Sequence, residues 1–315
     1  MQRRFAGVRL TSLAAVAAIS LLVTPSGAPR AQAGAEARYA AILVNAETGE
    51  VLFSHDADKA RYPASLTKVM TLYMMFEALA EGRVQPEDRI RISARAAAQP
   101  PSKLGLVPGQ TLSVDEAIRA MAVRSCNDIA VAVAEHLAGS VEAFADQSTA
   151  KAMTLGLTET RFVNPHGLSD PGHVSSARDM LRLAQAVMRD FPQYYAYFGQ
   201  REWEREGRVL RNTNGLLHAY PAYDGLKTGF TRASGFNLAA SATRGDHRLI
   251  AIVLGGTTTQ ARNAHVADLM ETGFELERMR AEGRLAESPQ TLFERRGFGR
   301  DRTASDGPVP YVLAR

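Results

Sequence analysis

Cysteine is nearly absent from this chain: Cys126 is the only one in 315 residues. A single cysteine excludes an intramolecular disulfide. Paired metal ligands are missing as well, because the seven histidines show neither the His-Glu-Xaa-Xaa-His spacing nor any other close ligand spacing. We therefore predict that the protein holds no metal and no other cofactor.

The chain also lacks an apolar run long enough to cross a membrane. The apolar stretch at 13–23 covers 11 positions, whereas a membrane-spanning helix needs about 20 residues. It follows three arginines and precedes the small-residue sequence Ala31-Gln32-Ala33, which is the pattern of a cleavable secretory signal. Residues 1–33 are therefore predicted to be a signal peptide. The pair Arg3-Arg4 also suggests the twin-arginine route, but Phe5-Ala6-Gly7 fit that pattern poorly, so the general secretory route is favoured.

Once this signal is removed, the chain has no excess of positive or negative charge. The formal net charge is +4 at pH 7, and residues 1–33 carry four arginines and no acidic residue. The rest of the chain is therefore formally neutral, which gives no reason to expect a nucleic-acid partner. With 45% hydrophobic and 22% charged residues, the composition is that of a globular protein.

The segment Ser65-Leu66-Thr67-Lys68 stands at the start of a predicted apolar helix. Residues three apart on a helix share one face, so the serine hydroxyl and the lysine amine are expected to meet. Serine needs a base to become a nucleophile, and a lysine whose pKa is lowered by burial can be that base. A helix start also supplies backbone N–H groups for an oxyanion. Alone, such a segment is more often a helix cap followed by a surface lysine, and Ser-Xaa-Xaa-Lys occurs by chance in many proteins.

Two further motifs follow in the chain. Ser125-Cys126-Asn127 lies between two apolar helices, where it can hold two polar side chains or simply connect the helices. Lys227-Thr228-Gly229 lies in a predicted strand, where an ammonium and a hydroxyl can bind a substrate carboxylate beside a glycine that lets substrate approach. Each motif is weak alone, but the three in this order are typical of penicillin-binding proteins and class A β-lactamases. They predict a serine acyl-transfer enzyme.

The chain resembles the low-molecular-mass penicillin-binding proteins that are D-alanyl-D-alanine carboxypeptidases. The likeness extends from about Ala40 to Phe274. Besides the three motifs it includes Pro63-Ala64, Pro108-Gly109, Asn164-Pro165-His166-Gly167-Leu168, Ser176-Ala177-Arg178-Asp179-Met180, Asn212-Thr213-Asn214-Gly215-Leu216-Leu217, Asp224-Gly225-Leu226 and Val253-Leu254-Gly255-Gly256.

This resemblance implies a reaction on peptidoglycan stem peptides ending in D-Ala-D-Ala. Ser65 would attack the penultimate carbonyl and Lys68 would accept its proton, while Ser125 and Asn127 would relay protons and orient the peptide. Water would then release the acyl group. β-Lactam antibiotics should acylate Ser65, because they mimic the D-Ala-D-Ala end.

The resemblance also implies a substrate-binding set. Lys227 and Thr228 would hold the terminal carboxylate beside Gly229, and Arg262 is a further candidate for this contact. The backbone N–H groups of Ser65 and Phe230 would form the oxyanion hole.

Two residues depart from the family pattern. Cys126 stands where glycine is common, and we interpret it as a small packing residue rather than a reactive thiol. Phe230 replaces a common histidine, which we expect to change substrate contacts but not the backbone donor.

Predicted strands at both ends of the chain bracket a helical middle. They are a hairpin over 39–54 and strands at 225–231, 236–243 and 248–254, and a helix follows at 261–279. This order predicts an α/β (α+β) fold. The resemblance implies a β-lactamase/transpeptidase-like fold, with an antiparallel sheet built from both ends of the domain and a mostly helical subdomain.

The catalytic domain is predicted to cover residues 34–281. Residues 282–315 show no clear apolar period and are expected to form a flexible tail. Family members commonly add a β-rich domain and an anchoring helix, for which this tail is too short. We therefore expect a soluble periplasmic protein with no membrane anchor.

Three other functions compete with the carboxypeptidase. A DD-endopeptidase would use the same residues on cross-linked peptides, and nothing in the sequence excludes it. A class A β-lactamase is disfavoured, because Glu159 stands five residues before Asn164 and does not give the Glu-Xaa-Xaa-Asn spacing. A non-catalytic peptidoglycan-binding protein would be expected to lose a motif residue, and all are present.

Overall fold

The computed structural model describes residues 38–284 and 288–298, so the predicted signal peptide lies outside the described residues. The strands are β1 (Ala40–Asn45), β2 (Val51–His55), β3 (Arg89–Arg91), β4 (Thr111–Ser113), β5 (Glu202–Arg205), β6 (Arg208–Arg211), β7 (Tyr223–Thr231), β8 (Gly235–Arg244) and β9 (His247–Gly256). The helices are α1 (Lys68–Ala80), α2 (Ala94–Ala97), α3 (Val114–Arg124), α4 (Asn127–Ala138), α5 (Val141–Thr154), α6 (Ala177–Asp190), α7 (Ala196–Gly199), α8 (Gly215–Ala219), α9 (Thr259–Ala281) and α10 (Pro289–Arg295). Two 3₁₀ turns cover Ala64–Thr67 and Pro192–Tyr194.

The central sheet has five strands in the order β2-β1-β9-β8-β7, and all neighbours are antiparallel. The predicted N-terminal hairpin is confirmed as β1 and β2. Its turn is stabilised by the Asn45 side chain, whose Oδ1 accepts hydrogen bonds from the N–H groups of Glu47 and Thr48 at 3.0 and 3.1 Å. Because β1 pairs with β9, the sheet is built from both ends of the domain, as predicted.

Both faces of the sheet are covered by helices. On one face Ile42, Ile250 and Ile252 pack with α1 and with α3–α6, and on the other Leu43 and Val253 pack with α8, α9 and α10. Strand side chains alternate between faces, so a strand covered on both sides is apolar along most of its length. This explains why eight of the ten residues of β9 are buried.

The expected flexible tail is wrong for residues 288–298. Ser288 caps α10 by accepting a hydrogen bond from the N–H of Thr291. Phe293 is fully buried, with its ring centroid 5.4 Å from that of Phe53 in β2. One buried turn of helix needs only two or three apolar residues, too few to produce a recognisable period. Residues 285–287 and 299–315 of the tail lie outside the described residues.

Within the two described ranges, none of the helices combines the length and the apolar character that crossing a bilayer requires.

Candidate active site

Ser65 lies in a 3₁₀ turn rather than in the first turn of an α-helix. The turn covers Ala64–Thr67, and α1 begins at Lys68. Ala64 has a φ of 50°, a left-handed conformation that costs free energy in a non-glycine residue. The segment is tied to the sheet by Asn237 of β8, whose Nδ2 donates to the carbonyl groups of Tyr62 and Pro63 at 2.9 and 3.0 Å. These bonds fix the position of Ser65 relative to the sheet.

Lys68 is fully buried beneath Ser65 and is surrounded by three oxygen atoms. Its Nζ lies 2.9 Å from Ser65 Oγ, 2.7 Å from Asn127 Oδ1 and 3.0 Å from the carbonyl oxygen of His166. Burial lowers the pKa of Lys68 well below its usual value, and the nearby Lys227 lowers it further. The arrangement therefore favours a neutral amine.

A neutral amine has two N–H donors and one lone pair. Asn127 Oδ1 and the His166 carbonyl oxygen can only accept hydrogen bonds, so they use the two donors. Of the three neighbours, only the Ser65 hydroxyl can donate to the lone pair. The geometry therefore selects Ser65 as the group whose proton Lys68 can take.

Asn127 is held so that its carbonyl oxygen faces Lys68. Its Nδ2 donates to the carbonyl groups of Pro100 and Pro101 at 3.0 and 3.1 Å, which fixes the orientation of the amide. The preceding Ser125 ends α3 in a left-handed conformation with a φ of 61°. The motif thus forms a tight connection that carries two polar groups to the same side.

Cys126 lies between these two residues and is buried. Burial, and the nearby Asp128, raise the pKa of its thiol to about 12. The thiol is therefore protonated at neutral pH and unreactive as a nucleophile. This agrees with the interpretation of Cys126 as a packing residue.

Strand β7 forms the opposite wall of the site. Lys227 is 1% exposed, and burial lowers its pKa to about 7. Thr228 Oγ1 donates to Thr213 Oγ1 at 2.8 Å. A Cβ on Gly229 would lie 3.0 Å from both the Pro63 carbonyl oxygen and the Ser65 nitrogen. Glycine at this position lets β7 approach the Ser65 turn closely.

Phe230 lies on β7, the strand at the edge of the central sheet. Thr231, the next residue, donates its N–H to Ser234 Oγ at 2.9 Å, on the side of β8. Successive N–H groups of a strand point in opposite directions, so that of Phe230 points away from β8. It therefore lies on the side of β7 that no strand of the described sheet covers.

The side chains of the two remaining predicted binding residues, Arg262 of α9 and Phe230 of β7, differ in their exposure. Arg262 is 2% exposed, and its Nη1 and Nε donate to the Asn237 carbonyl oxygen and to Asn263 Oδ1 at 2.5 and 2.9 Å. Phe230, by contrast, is 53% exposed. Arg262 is therefore fixed in position, and its cationic group is partly used in holding α9 against β8.

These residues surround one cleft of about 330 Å³. The cleft is lined by Ser65, Pro101, Ser102, Ser125, Asn127, Gly167, Leu168, Thr213, Thr228, Gly229, Phe230, Thr231, Phe236, Thr259 and Arg262. The structure thus brings seven of the nine predicted site residues to the cleft surface, and Lys68 and Lys227 lie buried behind it. No Asp or Glu is among the described residues that line the cleft.

Sequence reasoning missed three features of this site. The His166 carbonyl group binds Lys68, although the sequence assigns His166 no role in the site. The carbonyl groups of Pro100 and Pro101 orient Asn127, and no motif marks these two residues. Thr213 was not assigned a role, although its segment is part of the family likeness and it contacts Thr228.

Gly167 should tolerate no side chain. It has a φ of +85°, and a Cβ there would overlap the Ala64 carbonyl oxygen beside Ser65. Gly167→Ala should lower the free energy of unfolding by about 2–5 kcal/mol, because overpacking adds to backbone strain. The matched control is Gly139→Ala, since Gly139 has a φ of +79° and no atom within 4 Å of a Cβ. It should cost only about 1–2 kcal/mol. Equal losses in urea unfolding would contradict the packing argument.

The fold and this arrangement of side chains define a class of protein. A serine paired with a buried lysine, a Ser-Xaa-Asn connection and a Lys-Thr-Gly strand at the edge of an antiparallel sheet are the features of the serine penicillin-binding proteins. The family model for D-alanyl-D-alanine carboxypeptidases matches residues 27–258. The chain belongs to this family, as its sequence motifs predicted.

Curated relatives support the same assignment. The D-alanyl-D-alanine carboxypeptidase DacA of Escherichia coli (strain K12) is 40% identical over 240 residues, which cover 74% of this chain and 60% of that protein. The chain spans about three fifths of the length of its curated relatives from Bacillus subtilis and Escherichia coli.

Solved structures confirm the predicted fold. Penicillin binding protein 5 from Haemophilus influenzae has a TM-score of 0.72 at 36% identity, over 75% of this chain and 70% of that one. Penicillin-Binding Protein D2 from Listeria monocytogenes, in its cefotaxime-bound form, has a TM-score of 0.68 at 31% identity, over 75% and 96% of the two chains.

Proposed function

We propose that this protein is a serine D-Ala-D-Ala carboxypeptidase. It removes the terminal D-Ala from peptidoglycan stem peptides through an acyl-enzyme on Ser65, and β-lactam antibiotics inhibit it by acylating the same residue. The observation that carries the proposal is the buried Lys68 amine, which lies 2.9 Å from Ser65 Oγ and has two carbonyl oxygens as its other neighbours. Family membership and the cefotaxime-bound relative support it.

Acylation begins when Ser65 Oγ attacks the penultimate carbonyl carbon and Lys68 takes the hydroxyl proton. The carbonyl oxygen becomes an oxyanion between the N–H groups of Ser65 and Phe230. When the C–N bond breaks, the proton passes from Lys68 to the leaving nitrogen of D-Ala, with Ser125 as the relay. Lys68 is then neutral again.

Lys227 and Thr228 bind the terminal carboxylate of the substrate. Lys227 must carry a proton for this role, and an arriving carboxylate favours that charged form. The charge on Lys227 in turn disfavours a proton on Lys68. The two lysines therefore divide their roles, with a cation for binding and a neutral amine for proton transfer. Thr213 positions the Thr228 hydroxyl.

Deacylation distinguishes this proposal from a β-lactamase. Rapid hydrolysis of a penicillin adduct in class A enzymes uses a glutamate that activates water. The described cleft residues include no carboxylate. Glu159 is exposed and its N–H donates to Asp179. We therefore propose a long-lived β-lactam adduct.

The location of the activity follows from the predicted signal at residues 1–33. We propose that the protein acts in the periplasm, where its peptidoglycan substrate would be accessible, and contributes to cell-wall synthesis and cell shape.

A synthetic tripeptide ending in D-Ala-D-Ala tests the activity directly. The protein should release free D-Ala from it, and should not cleave the same peptide ending in D-Ala-L-Ala. Ser65→Ala should abolish release. Preferential cleavage of a cross-linked peptide dimer, with little release from the tripeptide, would instead support the DD-endopeptidase.

A further inference from the structure

Phe230 is a large apolar side chain exposed at the catalytic cleft. Six large hydrophobic residues in the described parts of the chain are substantially exposed, at Val51, Val107, Met153, Val209, Tyr220 and Phe230. Of these, Phe230 lines the cleft. Scattered exposed hydrophobic residues need no explanation, but one that faces a binding cleft indicates a contact with ligand.

A second aromatic ring supports Phe230 from behind. Phe236 is its direct partner across β7 and β8, and the two rings stack with centroids 4.3 Å apart and planes inclined by 30°. Phe236 is partly buried and also lines the cleft. The pair is therefore held in place before ligand binds, so little side-chain entropy is lost when its open face is covered.

The position of the pair along β7 indicates which part of a ligand would meet it. Lys227 and Thr228, assigned to the terminal carboxylate, come first, and the Phe230 N–H, assigned to the attacked carbonyl, comes next. The rings of Phe230 and Phe236 lie at the level of this N–H, further along β7 than Lys227 and Thr228 and therefore away from the carboxylate end. They therefore face the acyl side of the ligand, which remains attached to Ser65 after D-Ala leaves.

The surroundings of the pair favour an uncharged occupant. The described residues that line the cleft include no Asp or Glu, so a cationic group would find no counter-charge there. The nearby Arg262 would repel it. An anionic group would still meet the positive charge of Arg262, but it would find fewer free donors there, because Nε and Nη1 already donate to Asn263 and Asn237.

We propose that Phe230 and Phe236 form an apolar platform that selects ligands by the apolar group on their acyl side. This inference rests on the proposed function and assigns the pair to specificity. In a stem peptide the group is the aliphatic part of the residue before D-Ala-D-Ala. In a penicillin it is the substituent on the 6-amino group.

Two penicillins that share one bicyclic nucleus test the platform. Benzylpenicillin carries a phenylacetyl group, and 6-aminopenicillanic acid carries none. The second-order rate constant for acylation is measured for each by intact mass, and their ratio gives the contribution of the phenylacetyl group. Any effect of a substitution on the backbone N–H of Phe230 acts on both compounds and cancels in the ratio.

Phe230→Ala should lower this ratio about five- to tenfold, since one aromatic contact is lost, and Phe230→Tyr should restore it. The control is Tyr220→Ala, because Tyr220 is 44% exposed, contacts Tyr223 and lies outside the set that lines the cleft. That control should leave the ratio unchanged. An unchanged ratio in Phe230→Ala would overturn the inference.

The unmodified protein provides a second test that needs no variant. Its acylation rate should rise along a series of penicillins whose 6-acyl groups increase in apolar area, from none through acetyl to phenylacetyl. A rate independent of that area would contradict the platform while leaving the proposed function intact. Absence of any adduct with every compound would contradict the proposed function itself.

Discussion

Replacing Lys68 by methionine should slow the acylation of Ser65 by about 10²–10⁴-fold, the usual contribution of a general base. Methionine keeps an unbranched side chain that is one atom shorter and removes the amine whose lone pair faces Ser65 Oγ. The measurement is the rate of adduct formation with benzylpenicillin, followed by intact mass. A rate within tenfold of the wild type would mean that another group takes the serine proton.

Two controls separate this effect from a loss of structure. Lys68 is buried, and its removal leaves the oxygen atoms of Asn127 and His166 without this donor, which costs about 1–3 kcal/mol for each group. The melting temperature of Lys68→Met should therefore fall, and a single cooperative unfolding transition shows that the variant is still folded. Lys59→Met, in which the lysine side chain is 62% exposed, should change neither the rate nor the stability.

Replacing Lys227 by methionine should lower kcat/KM for peptides with a free terminal carboxylate by about 10²-fold, because a charge-assisted hydrogen bond is lost in a buried site. A peptide that ends in an amide does not use this contact. Its slow cleavage should be little affected, so the preference for the carboxylate should largely disappear. An equal loss for both peptides would place Lys227 in the chemical step rather than in carboxylate binding.

The same residue should produce a pH dependence. Burial lowers the pKa of Lys227 to about 7, so the ammonium loses its proton as the pH rises through this value. Because the neutral amine cannot pair with a carboxylate, kcat/KM should fall above about pH 7. Lys227→Met should lack this decline. If the decline persists in the variant, another group is responsible for it.

Local features of the site could be predicted from the sequence. Ser65 and Lys68 are three residues apart, and a helical or 3₁₀ turn brings such residues together whatever the rest of the chain does. The hairpin of β1 and β2 and the strand β7, which carries both Lys227 and Phe230, follow from local patterns in the same way. The resemblance to the family then predicted that these separate segments form one active site.

Features that depend on distant backbone groups could not be predicted. The carbonyl groups of His166, Pro100 and Pro101 complete the surroundings of Lys68 and Asn127, but the direction of a carbonyl group leaves no mark on the sequence. The same limit applies to Arg262, whose bonds to Asn237 and Asn263 depend on how α9 packs against β8. The helix at Pro289–Arg295 could not be predicted because it has few apolar residues, and these form a buried face only by packing against Phe53 of β2.

The central claim is that Ser65 is the nucleophile, and the intact mass of the protein with excess benzylpenicillin tests it most directly. The wild type should gain the mass of one penicillin molecule and keep it for many minutes, and Ser65→Ala should gain nothing. An adduct that forms equally in Ser65→Ala, or no adduct in the wild type, would contradict the account. An adduct that disappears rapidly while the drug is consumed would instead identify a β-lactamase.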